Sequence, residues 1–294
     1  MRSKSVPWGI NPSVLLAAPF LALVIVAALW PSLLATADPL ATSLPEALQP
    51  PSSEHFWGTD QTGRDVWSRV VFGTRFSLVV GCGSAFGAAL IGGAMGISLG
   101  LAPRWIDGIL LRAVEVLMAF PDFLIALIVL AVLGSGPKNV AIAVLIGAVP
   151  AYIRVARAET LTRLQTGFVQ ASTLLGRNRW HVALHHIVPT TVRSLLVLAT
   201  IGVGTGIVTA AGLSFLGLGT QEPAPDWGLM LAGSRNKLSQ AWWLALFPGL
   251  AIIGTVLSVS VLSRAVQGRQ DFRGHLRVSS RRSRGWLHRD ELSR

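Results

Sequence analysis

Residues 159–193 read ETLTRLQTGFVQASTLLGRNRWHVALHHIVPTTVR, a polar stretch between two strongly apolar runs at 139–156 and 194–216. Leu161, Leu164, Phe168, Ala171 and Leu175 recur at the three- and four-residue spacing of one helix face, with polar side chains between them. Gly176 interrupts the pattern, Arg177-Asn178-Arg179 follows, and a second short helical pattern closes at Pro189. Two short amphipathic helices with a glycine joint, flanked by apolar runs, read as a docking surface at the edge of a bilayer. A chain that only had to cross the membrane would not need it.

The composition agrees with a membrane setting. The 294 residues are 51% hydrophobic and 13% charged, with a mean hydropathy of +0.56. Soluble domains carry about 25% charged residues, so the chain reads as an all-α integral membrane protein. Its net charge of +11 could suggest nucleic acid, but Arg outnumbers Lys 22 to 3 and no nucleic-acid fold or stacking motif accompanies the charge. Nucleic acid is not an expected partner, whereas membrane lipid is. The single cysteine, Cys82, lies in an apolar run, which excludes a disulfide within the chain and predicts a buried small residue.

About six transmembrane helices are expected, at 13–34, 77–101, 109–133, 139–156, 194–216 and 241–263. For the first run a cleaved signal peptide is the rival reading, because Ala35-Thr36-Ala37 resembles a cleavage site. The length of the run, with Pro19 and Pro31, favours a spanning helix. In the polar stretch 35–75, Asp60/Arg64 and Asp65/Arg69 have the i,i+4 spacing of helical ion pairs, predicting an interfacial helix. Direct ligand contact there is the other reading. Gly92, Gly96 and Gly100, like Gly83 and Gly87, form stripes that let helix backbones approach closely in lipid.

The third run contains Arg112, Glu115 and Asp122, and charges inside a span call for a function. Arg112 and Glu115 can pair near one end and snorkel. Asp122 follows Pro121 and either satisfies backbone groups at a kink or lines a polar pathway. Glu115 and Asp122 are the two candidate pathway residues. With six spans, the side holding both termini and residues 157–193 receives 19 Arg and Lys, against 6 on the other. The positive-inside rule places that side in the cytoplasm.

The chemistry that is missing narrows the function. There is no G-x-x-x-x-G-K-[ST], so no nucleotide is expected on this chain, and no H-E-x-x-H. His181, His185 and His186 lack a nearby carboxylate or cysteine to complete a metal set. Ser214 in Gly212-Leu213-Ser214-Phe215 has no histidine in any span to serve as its base, which excludes an intramembrane serine hydrolase. A proton-coupled secondary transporter using Glu115 and Asp122 remains open, although it would not explain the 159–193 segment and no inverted repeat is visible.

Residues 167–189, with Gln170-Ala171-Ser172, Gly176 and His186-Ile187-Val188-Pro189, resemble the coupling loop of ATP-binding-cassette importer permeases. HFWGTDQTGRDVWSRVVFGTR (55–75), AFPDFLIAL (119–127), AGLSFLGLG (211–219), PAPDWGLMLA (223–232) and WWLALFPGLAI (242–252) are similar to the second permease of the dipeptide/oligopeptide/nickel branch. The resemblance implies a type-1 importer permease fold, without catalytic, cofactor or metal residues of its own. It implies ATP–Mg held by one or two cytoplasmic ATPase subunits, a homologous permease completing the pore, and an extracytoplasmic solute-binding protein docking on loops 35–75 and 217–240. Phe168, Gln170, Ala171, Ser172, Gly176, His186 and Pro189 are then the expected ATPase-coupling residues. Peptides are the implied cargo, with nickel, metal chelates and glutathione-like molecules as alternatives.

Two departures accompany the match. The family's Glu-Ala-Ala is Gln170-Ala171-Ser172 here, which replaces a charge-assisted bond by a neutral one about half as strong. A basic tail replaces the family's short acidic-glycine and D-P-R ending. The expected organisation is an N-terminal arm, first span and outer loop over 1–74, a permease domain over 75–264 with its coupling loop at 159–193, and a basic cytoplasmic tail over 265–294. The expected location is the inner membrane of a prokaryote.

Overall fold

The computed structural model of the chain describes residues 12–167, 169, 172, 181 and 183–265. These residues are helical with connecting loops, and the one β-type pairing among them is an isolated bridge between Thr59 and Asp65. In chain order the helices are α1 (Pro12–Leu29), the short α2 (Pro31–Leu34), α3 (Val66–Leu101), α4 (Arg104–Met118), α5 (Asp122–Leu133), α6 (Pro137–Leu164), α7 (Val188–Phe215, entered through a wider turn at Ala183–Ile187), α8 (Trp227–Ser234) and α9 (Trp243–Ala265). Five of them, α1, α3, α6, α7 and α9, are long and apolar enough to cross a membrane.

Helix α3 starts eleven residues before its apolar run, because Asp65 caps it by accepting from the Ser68 N–H. Its 36 residues extend about 54 Å at 1.5 Å per residue, so the helix outreaches a hydrocarbon layer of about 30 Å. It is the axis of the bundle, packed on α6 and α7. The glycine stripe explains the α3–α6 contact. A Cβ on Gly92 would lie 2.7 Å from Tyr152 Cβ, one on Gly96 2.6 Å from Ala156 Cβ, and one on Gly100 2.6 Å from Thr160 Cγ2. Gly83, by contrast, meets nothing within 4 Å. Cys82 is only partly buried. Helix α1 lies on the outside, with Phe20 filling the space over Gly254 of α9.

The expected continuous span at 109–133 is instead two helices, α4 and α5, bent by 93°. Pro121 supplies the reason: it has no N–H to continue the helix and pushes its predecessor out of the helical region. Helix α5 has 12 residues, about 18 Å, too short to cross alone. The pair nevertheless carries the chain across. Helix α4 starts where Asp107 meets Arg157, near the end of α6. Helix α5 ends where Asn139, at the start of α6, donates to the Leu133 carbonyl and Gly136 N–H donates to Leu218. The described helices thus give five candidate spans, or six with the bent pair counted as one. Arg112 and Glu115 do not pair: both are exposed, and no ion pair joins them among the described residues.

Candidate functional site

The two ends of the bundle and a cavity between them hold the candidate residues. At one end, loops 35–65 and 217–226 close into a cap. Asp60 Oδ1 accepts from the N–H and hydroxyl of Thr62, each at 2.8 Å, and from Arg64 N–H at 3.0 Å, so the carboxylate organises a tight turn. Gly58 and Gly63 allow that turn with φ of +73° and +78°. Asp60 Oδ2 faces Arg69 Nε at 3.5 Å, and Glu222 lies 2.6 Å from Arg64 and 3.5 Å from Arg69. Arg69 is 1% exposed and also donates to the carbonyls of Pro39 and Pro223.

The expected interfacial helix is therefore corrected, although Asp60 and Arg64 do face each other at 3.9 Å. Residues 59–65 form a turn and not a helix, and Asp65 does not pair with Arg69. Asp65 caps α3, accepts from Thr36 and lies 3.0 Å from His55 Nδ1. The spacing was right for a helix, but the positive-φ glycines end any helix there. The cap is tied to the helices by two indoles, Trp227 Nε1 donating to Val70 at 2.9 Å and Trp243 Nε1 to Thr59 at 3.1 Å. Asp226 Oδ2 accepts from the Ser214 and Thr220 hydroxyls, both at 2.7 Å, and its Oδ1 from Gly228 N–H at 2.8 Å. A cleft of about 370 Å³ remains between Gln61, Arg64, Glu222, Gly233 and Leu244.

Midway along the bundle a cavity of about 160 Å³ is lined by Ser84 of α3, Asp122 of α5, Tyr152 of α6 and Gly202 and Thr205 of α7, among others. The two candidate pathway residues separate here: both are exposed, but Asp122 lines the cavity and Glu115, on α4, lies outside it.

At the opposite end lies the 159–193 segment. Phe168, Gln170, Ala171 and Gly176 lie outside the described residues. Ser172 is buried. His186 falls in the wide turn Ala183–Ile187, and Pro189 sits at the start of α7. Pro189 accounts for that turn, because its missing N–H and its ring both act against the preceding carbonyl of an α-helical turn. Thr190 donates its hydroxyl to the His186 and Ile187 carbonyls at 3.1 and 2.8 Å. The turn buries Ala183 and Ile187 and presents Leu184, 60% exposed, beside His185. His181 and His185 stack at 4.1 Å, and no group of three potential metal ligands occurs among the described residues. The helix ends behind the segment are tied by Arg157 to Asp107 through two contacts at 2.5 Å and by Ser194 to Glu159 at 3.1 Å.

Several of these residues escape a reading of the sequence. Asp107–Arg157 spans 50 positions and Arg69–Glu222 spans 153, and no local pattern marks either pair. Tyr152 sits in an apolar run without a polar neighbour in register. Asp226 had a readable signal, an acid directly before an apolar helical turn.

The sequence profile of the family described as "Binding-protein-dependent transport system inner membrane component" matches residues 92–273. The chain belongs to this family. It is a multi-span permease of binding-protein-dependent transport. It is 37% identical over 84% of its length to the dipeptide transport system permease protein of Alkalihalophilus pseudofirmus, covering 81% of that protein. To the glutathione transport system permease protein of Pectobacterium atrosepticum it is 41% identical over 75% of its length, covering 73% of that protein. To the probable D,D-dipeptide transport system permease protein of Escherichia coli it is 34% identical over 87% of its length, covering 86% of that protein. The permease also shares its fold with a chain of the inward-facing MetNI methionine ABC transporter, with a TM-score of 0.54 at 18% identity over 67% of this chain and 96% of that one. The expected type-1 importer permease fold is thus present.

Proposed function

We propose that this permease is the membrane subunit of an ATP-driven importer for di- and oligopeptides or related small solutes such as glutathione. The observation that carries the reading is its similarity, at 41% identity or a little less, to permeases of dipeptide and glutathione transport systems along most of the chain. A homologous permease completes the pore, and one or two cytoplasmic ATPases hold ATP–Mg and dock on residues 159–193. An extracytoplasmic binding protein delivers cargo to the cap. The excess of basic residues at the segment end supports a cytoplasmic location for that end and both termini.

In this reading Phe168, Gln170, Ala171, Ser172, Gly176, His186 and Pro189 transmit the ATPase stroke. The exposed Leu184 beside His185 supports a partner-facing surface there, since an apolar side chain at a polar membrane edge gains by being covered. Closure of the ATPase pair would push on α6 and α7, and the Gly92–Gly96–Gly100 seam would transfer the movement to α3. Membership of a binding-protein-dependent family removes the ground for the proton-coupled alternative. Purification of the tagged chain in gentle detergent tests the assembly. Co-purification of P-loop ATPases and a second permease with ATP hydrolysis is expected. Isolation of the chain alone or as a homo-oligomer would reject the reading.

A further inference from the structure

The mid-bundle cavity has a polarity that a passive lining would not need. Its lining holds one formal charge, the Asp122 carboxylate, and no Arg, Lys or His. Asp60, Asp65, Asp107, Glu159 and Asp226 are each engaged by a donor. Asp122, an exposed residue, has no hydrogen bond or ion pair through its carboxylate with any described residue. It does not cap its own helix, whose cap position is Pro121 and has no side-chain bond. A kink-stabilising role for this carboxylate therefore lacks its contacts.

A second, independent observation comes from α6. Tyr152 is 3% exposed, and its hydroxyl has no hydrogen-bond partner. That hydroxyl lies over Gly202, where an added Cβ would collide with it, and both residues line the cavity. Two of the three remaining hydroxyls of the lining, those of Ser84 and Thr205 but not Thr209, sharpen the picture. Ser84 donates to Gly81 O at 3.2 Å and Thr205 donates to Gly202 O at 3.0 Å. Each has used its proton on its own helix and has only acceptor capacity left. A carboxylate, acceptor oxygens and no cation together suit a compact, positively charged donor, and a primary ammonium group has that chemistry. The volume of about 160 Å³ is below the roughly 300–1,000 Å³ of a complete small-molecule site, so the cavity suits one end of a cargo molecule.

We infer that Asp122, with Tyr152, Ser84 and Thr205, receives the protonated amino end of the cargo as it crosses the permease. The inference rests on the peptide-importer reading and adds to it the chemical group that is recognised inside the membrane. The test uses the complete transporter with its binding protein in proteoliposomes and two labelled cargoes: alanyl-alanine, and lactoyl-alanine, in which a hydroxyl replaces the ammonium. D122N is expected to lower alanyl-alanine uptake about tenfold, and Y152F about two- to threefold. D122E is expected to stay within about threefold of wild type, and lactoyl-alanine uptake to remain at its wild-type level in all three. An equal fall for both cargoes, or no fall in D122N, would overturn the inference and leave the importer standing. Wild-type liposomes that take up neither cargo would overturn the peptide-importer reading and this inference with it.

Discussion

The cap and the 159–193 segment, at opposite ends of the same helices, are built by opposite means. The cap has little regular structure, yet its carboxylates at Asp60, Asp65 and Asp226 each collect donors from their own turn or from neighbouring elements. Two tryptophan indoles and the buried Arg69 pin it to the bundle. The segment end is marked by a helical pattern; Asp107–Arg157 ties the helices behind it, Glu159–Ser194 joins its two edges, and Thr190–His186 and the His181–His185 stack stay within it. Its wide turn instead offers Leu184 and His185 outward. The difference is that the cap's carboxylates are satisfied by the chain itself, whereas the wide turn leaves the apolar Leu184 exposed.

Substitutions can break this contrast, and they are ordered here by expected effect on stability. Arg69→Leu leaves Asp60 and Glu222 without their buried cation and should cost about 3 kcal/mol. Thermal unfolding in detergent, followed by tryptophan fluorescence, should then fall by roughly 6–12 °C; an unchanged midpoint would show that the cap does not depend on its buried charge. Asp226→Ala strands two hydroxyls and one N–H and should cost about 2 kcal/mol by the same assay. At the other end, Asp107→Asn removes a half-buried ion pair between α4 and α6. About 1 kcal/mol is expected, and a loss as large as that of Arg69→Leu would refute the contrast.

The smallest stability effects should come from the segment itself, accompanied by the largest losses of transport. Leu184→Ala should change stability by less than about 0.5 kcal/mol, as an exposed position, while reducing ATPase retention during purification. If retention is unaffected, Leu184 does not face the partner. Gly176→Trp, chosen on the sequence resemblance, should abolish uptake and leave the membrane level of the protein unchanged. Normal uptake would remove Gly176 from the coupling residues.

Much of the architecture was legible because membrane spans are written as continuous apolar runs. The runs at 77–101 and 139–156 lie within helices and those at 194–216 and 241–263 overrun theirs by one or two residues, while α3 and α6 continue well past their runs as polar-ended extensions. Hydropathy marks what lies in lipid, and the helix itself goes on until a cap or a proline stops it. The glycine stripe was equally legible, and its partner could be named only from the structure: Gly92 and Gly96 meet α6, while Gly83 meets nothing. Of the candidate site, the sequence singled out Asp122 but grouped it with Glu115, which the bend at Pro121 separates from the cavity. It read Asp60/Arg64 and Asp65/Arg69 as i,i+4 pairs of an interfacial helix, although Asp60 and Arg64 meet in a turn and Asp65 and Arg69 bond to other partners.

The sequence by itself determined that this is a helical membrane protein, because hydropathy and periodicity are local properties that survive without a fold, and the resemblance of its motifs to a family added the permease reading. Tertiary structure alone decided which charges meet. Arg69 finds Glu222, Arg157 finds Asp107, and Asp122 and Tyr152 find a shared cavity only after the helices pack. The physical reason is range. Burial in lipid acts on each stretch of chain separately, whereas a hydrogen bond or ion pair needs its partner within a few ångströms, and that distance is set by the packing of the whole bundle.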